Sequence, residues 1–475
     1  MRFRLRRPER PTTKFALLAS LLVGTSGVAV LVVVLPGAGS ATTWSAGLSN
    51  LKHVVILLEE NHAYDNYFGT YCAATGQFCP TAANGVPPGI CVPVLIHNPL
   101  GPCVKPFGFN AANLTSQVDL VHGYGTSHAS FDNGSMNGFV QAEGFNLTMG
   151  HYNGTTLPVY WDIAQKFGLA DNFYSSTLSW SLPNHWYLVA GQSPAEAENH
   201  SFARPTGNGN ETRYLAEANA TPSAEDLLAK NPNVTWKWYD NPLQNYSAAI
   251  NNSGSPSTGD AFNIWNPQAA KAESYTPTFD SHFVSRKSFF TDAAAGNLPN
   301  VSWIMPPFNE SDHPTANLTQ GQNFVASLAN AVESGPEWSS TAFFIAWDDY
   351  GGYYDHVAPP QIDGLGLGFR VPLLVISPWT PAGHIGGRQM SFESLLRLIE
   401  VRWNLGCFNN RDCNATIPSG FFLWKLHRAP VFFEPWANST YPYHSPPAHA
   451  GEYINASLAQ DSYNVSTDVF APDID

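Results

Sequence analysis

Along the chain, short unbroken apolar runs alternate with segments whose apolar residues recur every three to four positions. Val54–Leu58, Val234–Tyr239, Val301–Met305, Ala342–Trp347 and Val371–Ile376 are runs of strand length bounded by polar residues. That is the pattern of strands covered on both faces. Pro158–Phe167, Pro222–Lys230, Gln322–Glu333 and Ser391–Asn404 carry helical spacing. Pro222 follows Thr221 as a first-turn proline should, and Gly168, Gly335 and Gly406 stand where helices stop. Strands alternating with helices predict an α/β fold with three layers, α/β/α, around a mostly parallel sheet. Loop-rich inserts interrupt it at 72–103, 196–221 and 243–280, and no internal repeat is evident. From 406 to 475 the chain is rich in Pro and aromatics without helical spacing, so an irregular tail packed on the domain is expected.

One apolar stretch is too long for a strand. Phe15–Leu35 is 21 residues without a charge, roughly 31 Å as a helix at ~1.5 Å per residue, enough to cross a bilayer. Arg2, Arg4, Arg6, Arg7, Arg10 and Lys14 precede it, and the small residues of 36–41 suit cleavage. Residues 1–44 therefore read as a cytoplasmic basic segment followed by a signal peptide or a signal anchor. Both readings stay open, and the anchor implies membrane contact through residues 15–35. In either, positive charge stays inside and residues 45–475 lie outside the cell.

Composition sharpens the picture. Charged residues are 13% of the chain, about half the ~25% usual in soluble proteins. Net charge is −14 although the N-terminus is basic, so the body of the chain repels a phosphate backbone and nucleic acid is excluded as a partner. The apolar fraction of 44% excludes disorder for the bulk of the chain. The six cysteines include no CxxC pair, which favours disulfides in an oxidising compartment over a zinc knuckle. Cys407–Cys413 is the expected pair; Cys72, Cys79, Cys91 and Cys103 allow three connectivities. Seventeen Asn-x-Ser/Thr sequons, well above chance, point to a glycosylated exterior protein.

Candidate chemistry sits at strand ends, where open α/β sheets bind ligands. The first run continues into Glu59-Glu60-Asn61, and the fourth into Asp348-Asp349. Adjacent acids at the rim of a buried strand repel one another and call for a cation. Carboxylates with an asparagine carbonyl are hard oxygen donors suited to a divalent metal.

The segments Glu60–Gly69 (ENHAYDNYFG), Asp119–Tyr124 (DLVHGY), Ser181–Gly191 (SLPNHWYLVAG), Val301–Pro314 (VSWIMPPFNESDHP) and Trp347–Pro360 (WDDYGGYYDHVAPP) occur in consistent order from about Leu51 to Leu405. Together they resemble the bacterial phospholipase C/acid phosphatase phosphoesterase family of the alkaline-phosphatase-like superfamily. The resemblance implies a catalytic domain over 45–405 with a disulfide-bonded insert at 72–103. It implies one divalent metal ion held by Glu60, Asn61, Asp348, Asp349 and Ser181, with Ser181 as nucleophile. Glu59 stands where the family often has Gln, and Asp349 where it often has Glu. Pro183 suits a first helical turn, so Ser181 should open a helix whose N–H groups favour a phosphoryl anion; Ser179 is the alternative nucleophile. His313, His122 and His282 match positions that contact phosphate or protonate the leaving oxygen, a task suited to imidazole. Asp65, Asp355 and His356 belong to the motifs as supporting residues.

The expected function is an extracellular metal-dependent phosphoesterase working through a serine phospho-enzyme on a phosphate-ester or phospholipid substrate. Ser181 and the short tail lean towards an acid phosphatase, with a phospholipase C as the alternative. A third reading, a glycosylated surface protein on a degenerate enzyme fold, conflicts with the complete set of site residues.

Overall fold

The computed structural model describes residues 47–77, 79, 85–195, 210–240, 242–243 and 265–435. Its centre is set by two strands that water never reaches. His53–Glu59 (β1) and Thr341–Trp347 (β6) are buried along their whole length, as continuous apolar runs require of strands covered on both faces. They pair in parallel from His53 opposite Thr341 to Glu59 opposite Trp347. Around them lie Gly168–Ala170 (β2), Trp236–Asp240 (β3), Phe283–Ser285 (β4), Val301–Ile304 (β5), Leu373–Ile376 (β7) and His384–Gly386 (β8). The eight strands run in the order β8-β2-β7-β6-β1-β5-β3-β4. Only β7 is antiparallel to its neighbours β6 and β2.

The helices form the outer layers of an α/β/α sandwich. Pro158–Lys166 (α1), Lys287–Ala295 (α3) and Leu318–Ser334 (α4) pack together, with α1 and α4 against β7 and β6. Ser181–Ala190 (α2) packs on Phe392–Trp403 (α5). Asn317 caps α4 by accepting from Thr319 N at 2.9 Å, and Ser391 opens α5 with a capping box.

Three local expectations are corrected. Gly168 does not only end a helix; it begins β2, because the ring of Phe421 lies where a Cβ at 168 would stand, 2.7 Å from its Cδ1. The helix expected from Pro222 starts at Ala224, since Ser223 and Asp226 form the capping box. α5 ends on Asn404 in the left-handed conformation (φ 54°), two positions before Gly406.

Disulfides join Cys72–Cys79, Cys91–Cys103 and Cys407–Cys413, so the insert is stapled by two short loops. Residues 406–435 run over the domain: Phe421, Phe422 and Phe433 are buried, and Phe433 exchanges both backbone hydrogen bonds with the Asn330 amide at 2.9 Å. Residues 1–46, 196–209, 244–264 and 436–475 lie outside the described residues, and with them the expected membrane segment and the end of the tail. Among the described residues no helix is long and apolar enough to cross a membrane.

Candidate active site and metal centre

The register of β1 against β6 brings two distant acids together. Glu59 pairs with Trp347, so the next residues, Glu60 and Asp348, leave the sheet side by side. Asp348 N donates to Glu59 O at 2.9 Å, and Glu60 N to Ser311 O at 2.8 Å. The Asp348 Oδ1 accepts from Asn61 N at 2.8 Å and from Asp349 N at 2.7 Å. Asn61 takes a left-handed φ of 63°, a conformation that costs an asparagine less than most residues. Gly351 makes the turn after Asp349 close: its φ is 56°, and a Cβ there would lie 2.0 Å from Asn61 O.

Ser181 arrives from the other layer. It is the first residue of α2, preceded by an extended Trp180. Asn184 shapes the approach, because its Oδ1 accepts from Ser176 N and Thr177 N (2.9 and 3.2 Å) while its Nδ2 donates to Trp180 O (3.0 Å). Ser181 Oγ then donates to Glu60 Oε2 at 3.1 Å. Ser179, by contrast, is buried with an Oγ that finds no partner.

One turn further along α2, His185 points the same way, as i and i+4 positions do. Its Nε2 lies 3.1 Å from Glu60 Oε1 and 3.5 Å from Asp348 Oδ2, and its Nδ1 donates to Trp265 O at 2.6 Å. Ligand atoms of Glu60, His185 and Asp348 all fall within 4.8 Å of one another. Burial, then the neighbouring Asp348, push the Glu60 carboxyl well above the usual carboxylate range. Burial also opposes ionisation of Asp348, but contact with His185 outweighs it and holds that carboxyl low. Burial lowers the His185 imidazole and the two acids outweigh it, lifting it to about 10.

These residues suit a divalent cation. Asn61 is wholly buried, and both Oδ1 and Nδ2 of its side chain lack a hydrogen-bond partner, a costly arrangement unless something else satisfies them. The Asn61 N–H donates to Asp348, whose carboxylate converges with that of Glu60; Asp349 is buried too, with its Oδ1 accepting from Gly351 N at 2.7 Å. The Cys407, Asp412 and Cys413 grouping is no such site, since its sulfurs form a disulfide. Asp65, Asp355 and His356 also sit within ligand spacing of one another. There Arg370 already supplies the cation, donating to Asp65 Oδ1 and Asp355 Oδ1 at 3.0 Å each. That buried cluster ties the two strand-end motifs together.

His122 and His313 share one region, their ring centroids 6.5 Å apart. Each Nδ1 is held by a backbone carbonyl, Leu120 O for His122 and Pro314 O for His313, which places the basic lone pair on Nε2. His313 also packs against Trp265, whose carbonyl holds His185. Behind it, Asp312 (φ 66°) accepts from Tyr160, Tyr67 and Trp347 at 2.7, 3.0 and 3.2 Å. Burial pushes the Asp312 carboxyl up to about 7 against those donors.

His282 is not brought to this region. It precedes the edge strand β4, stacks on Trp236 at 3.8 Å and donates from Nδ1 to Trp236 O at 2.8 Å. β3 and β5 separate that edge from β1, and Trp236 is level with Val301 and Val54, at the opposite end of the strands from Glu60. The buried ring of Trp236, rather than a phosphate, accounts for its position.

The sequence profile of the Phosphoesterase family matches residues 51–406, from two residues before β1 to three residues past α5. The chain belongs to that family. Among the relatives of the chain, the non-hemolytic phospholipase C of Burkholderia pseudomallei is 29% identical over 81% of the chain and 60% of its own length. Phospholipase C A of Mycobacterium tuberculosis is 27% identical over 75% of the chain and 74% of its own length. The chain thus spans under two thirds of the first and about three quarters of the second. A solved structure described as Ps i-CgsB covers 77% of the chain and 75% of its own at TM-score 0.37 and 12% identity, too distant to carry an argument.

Sequence reasoning missed His185, which the structure brings to Glu60 and Asp348, and Trp265, whose carbonyl holds it there. His185 had a signal, its i+4 spacing from Ser181. Trp265 had none, because it reaches the site from an irregular insert.

Proposed function

We propose that the chain is an extracellular metal-dependent phosphoesterase that hydrolyses phosphate esters through a phosphoserine at Ser181. The observation that carries the reading is the 3.1 Å contact from Ser181 Oγ to Glu60 Oε2 at the start of a ten-residue helix. Glu60, Asn61, Asp348, Asp349 and Ser181 would hold one divalent ion, which when bound supplies charge stabilisation and acidifies the serine hydroxyl. Ser181 directs its hydroxyl proton at Glu60 and its oxygen towards a phosphoryl group bound at the helix start, where backbone N–H groups favour an anion. The Oγ–P bond forms as the ester oxygen leaves. His313 or His122, entering the step as imidazolium, gives that oxygen its Nε2 proton and is left with the Nε2 lone pair. Water then attacks the phosphoserine, losing a proton to the same histidine, and releases the phosphorylated product.

The relatives' names, both phospholipase C, favour a phospholipid head-group ester as the substrate ahead of a phosphomonoester. Exterior location is supported by three disulfides and by the sequons: of the ten sequon asparagines whose side chains are described, none is buried.

Ser181→Ala and Ser179→Ala separate the two candidate nucleophiles. With phosphatidylcholine, p-nitrophenyl phosphate and bis-p-nitrophenyl phosphate as substrates, Ser181→Ala should fold normally and lose kcat by roughly three orders of magnitude or more. Ser179→Ala should keep most activity. The reverse pattern would move the nucleophile to Ser179, and two active variants would leave no serine enzyme.

A further inference from the structure

The oxygen donors at the strand ends are joined by one nitrogen that lies outside the expected ligand set. His185 is 1% exposed, and its Nε2 stands between carboxylates from two different strands, 3.1 Å from Glu60 Oε1 and 3.5 Å from Asp348 Oδ2. The other ring nitrogen is committed: Nδ1 meets Trp265 O at 2.6 Å. A carbonyl can only accept, so Nδ1 carries a proton, and Nε2 faces the carboxylates: without metal it pairs with them as N–H, and a metal ion bound between them would take the place of that proton. An imidazole anchored through one N–H to a backbone carbonyl, with the other nitrogen facing carboxylates, is how proteins orient a metal-binding histidine. The neighbouring Asn61 amide, buried without any partner, faces the same requirement for a ligand.

We propose that His185 Nε2 is a ligand of the same metal ion, which makes the centre a mixed nitrogen and oxygen site. The consequence is a metal class. Magnesium and calcium prefer oxygen donors, whereas manganese, iron, cobalt and zinc accept imidazole readily. The inference rests on the reading that Glu60, Asn61, Asp348, Asp349 and Ser181 hold the metal. It also gives α2 a second task. Ser181 and His185 lie one turn apart on one helix, so a metal held by both would fix the angle at which the nucleophile faces its phosphoryl group.

The test is spectroscopic. Full-length enzyme is stripped with chelator, reloaded with Mn2+, and its bound metal counted and read by pulsed electron paramagnetic resonance for 14N coupling. The expected result is one Mn2+ per chain with a nitrogen coupling that His185→Gln abolishes. The same substitution should weaken Zn2+ binding at least about tenfold, the loss that removal of even an outer partner of a metal ligand produces, and Mg2+ binding less. His185→Asn provides a second variant if His185→Gln does not fold, with the circular dichroism of the metal-free form as the check. One Mn2+ per chain without nitrogen coupling, or a coupling that survives in the folded variant, would overturn the His185 ligand and leave the oxygen site standing. Failure to bind Mn2+ or Zn2+ stoichiometrically would overturn the metal reading as well.

Discussion

Asn61 shows how much of this site depends on single residues. Its left-handed backbone, its N–H on Asp348 and its carbonyl packed under Gly351 hold the amide where Glu60 and Asp348 converge. Gly351 permits this, since both its positive φ and the 2.0 Å approach of Asn61 O forbid a side chain. Gly351→Ala should therefore cost about 1–3 kcal/mol of stability from backbone strain. It should cost activity more than stability, because Asn61 must move. Urea unfolding and kcat/KM on one preparation check this; an unchanged kcat/KM would mean that Asn61 does not need its present position. At this scale residue type pointed to Glu60, Asn61, Asp348 and Ser181, and the structure brings Ser181 Oγ and the Asp348 carboxylate to Glu60. The sequence misplaced His282, because a histidine beside a tryptophan can stack as readily as it can serve a site, and the 3.8 Å stack on Trp236 decided it.

Among the elements, those with long apolar runs were legible. β1 and β6 are seven residues each and wholly buried, so nothing competes with the strand reading. β2, β4 and β8 are three residues each and escaped notice, since so short a strand has no pattern to read. Their existence depends on neighbours, as the Phe421 ring over Gly168 illustrates. The direction of β7 was equally hidden: an apolar run fixes burial on both faces but says nothing about parallel or antiparallel pairing. α2 explains the missed His185. All ten of its residues are buried, so no polar face marks out the side that carries Ser181 and His185. Helix starts with a proline or a capping box were legible to within a few residues, as at Pro158 and Ser391.

The whole molecule is built for low charge, and its buried acids set its response to pH. Away from the site, burial pushes Glu225 up to about 7 and Glu333 up to about 8, the latter despite Val431 N and the nearby Arg428 and Lys166. An unfolded glutamate titrates near ~4.3. Between that pH and 7 to 8 the unfolded chain has lost these protons while the folded chain keeps them, so stability falls as pH rises. His185 acts in the same direction, its folded-state proton being lost only near 10. Asp226 and Asp363, held low by Lys271 and Arg411, work the other way and lose their contribution only below about pH 4. Calorimetry of the chelated protein should show its highest melting temperature near pH 4 to 5 and a decline towards pH 8; a rise over that interval would contradict the placement of these acids.

The central claim is that Ser181 becomes covalently phosphorylated, and trapping that species tests it most directly. Enzyme mixed with excess substrate is quenched in acid within its first turnovers, digested, and its peptides mapped by mass spectrometry. The account predicts a phosphoryl or head-group phosphoryl adduct on Ser181, absent from the Ser181→Ala variant and from chelated enzyme. Substrate turnover at the normal rate with no adduct on any serine, and with 18O from solvent water transferred in one inverting step, would contradict it.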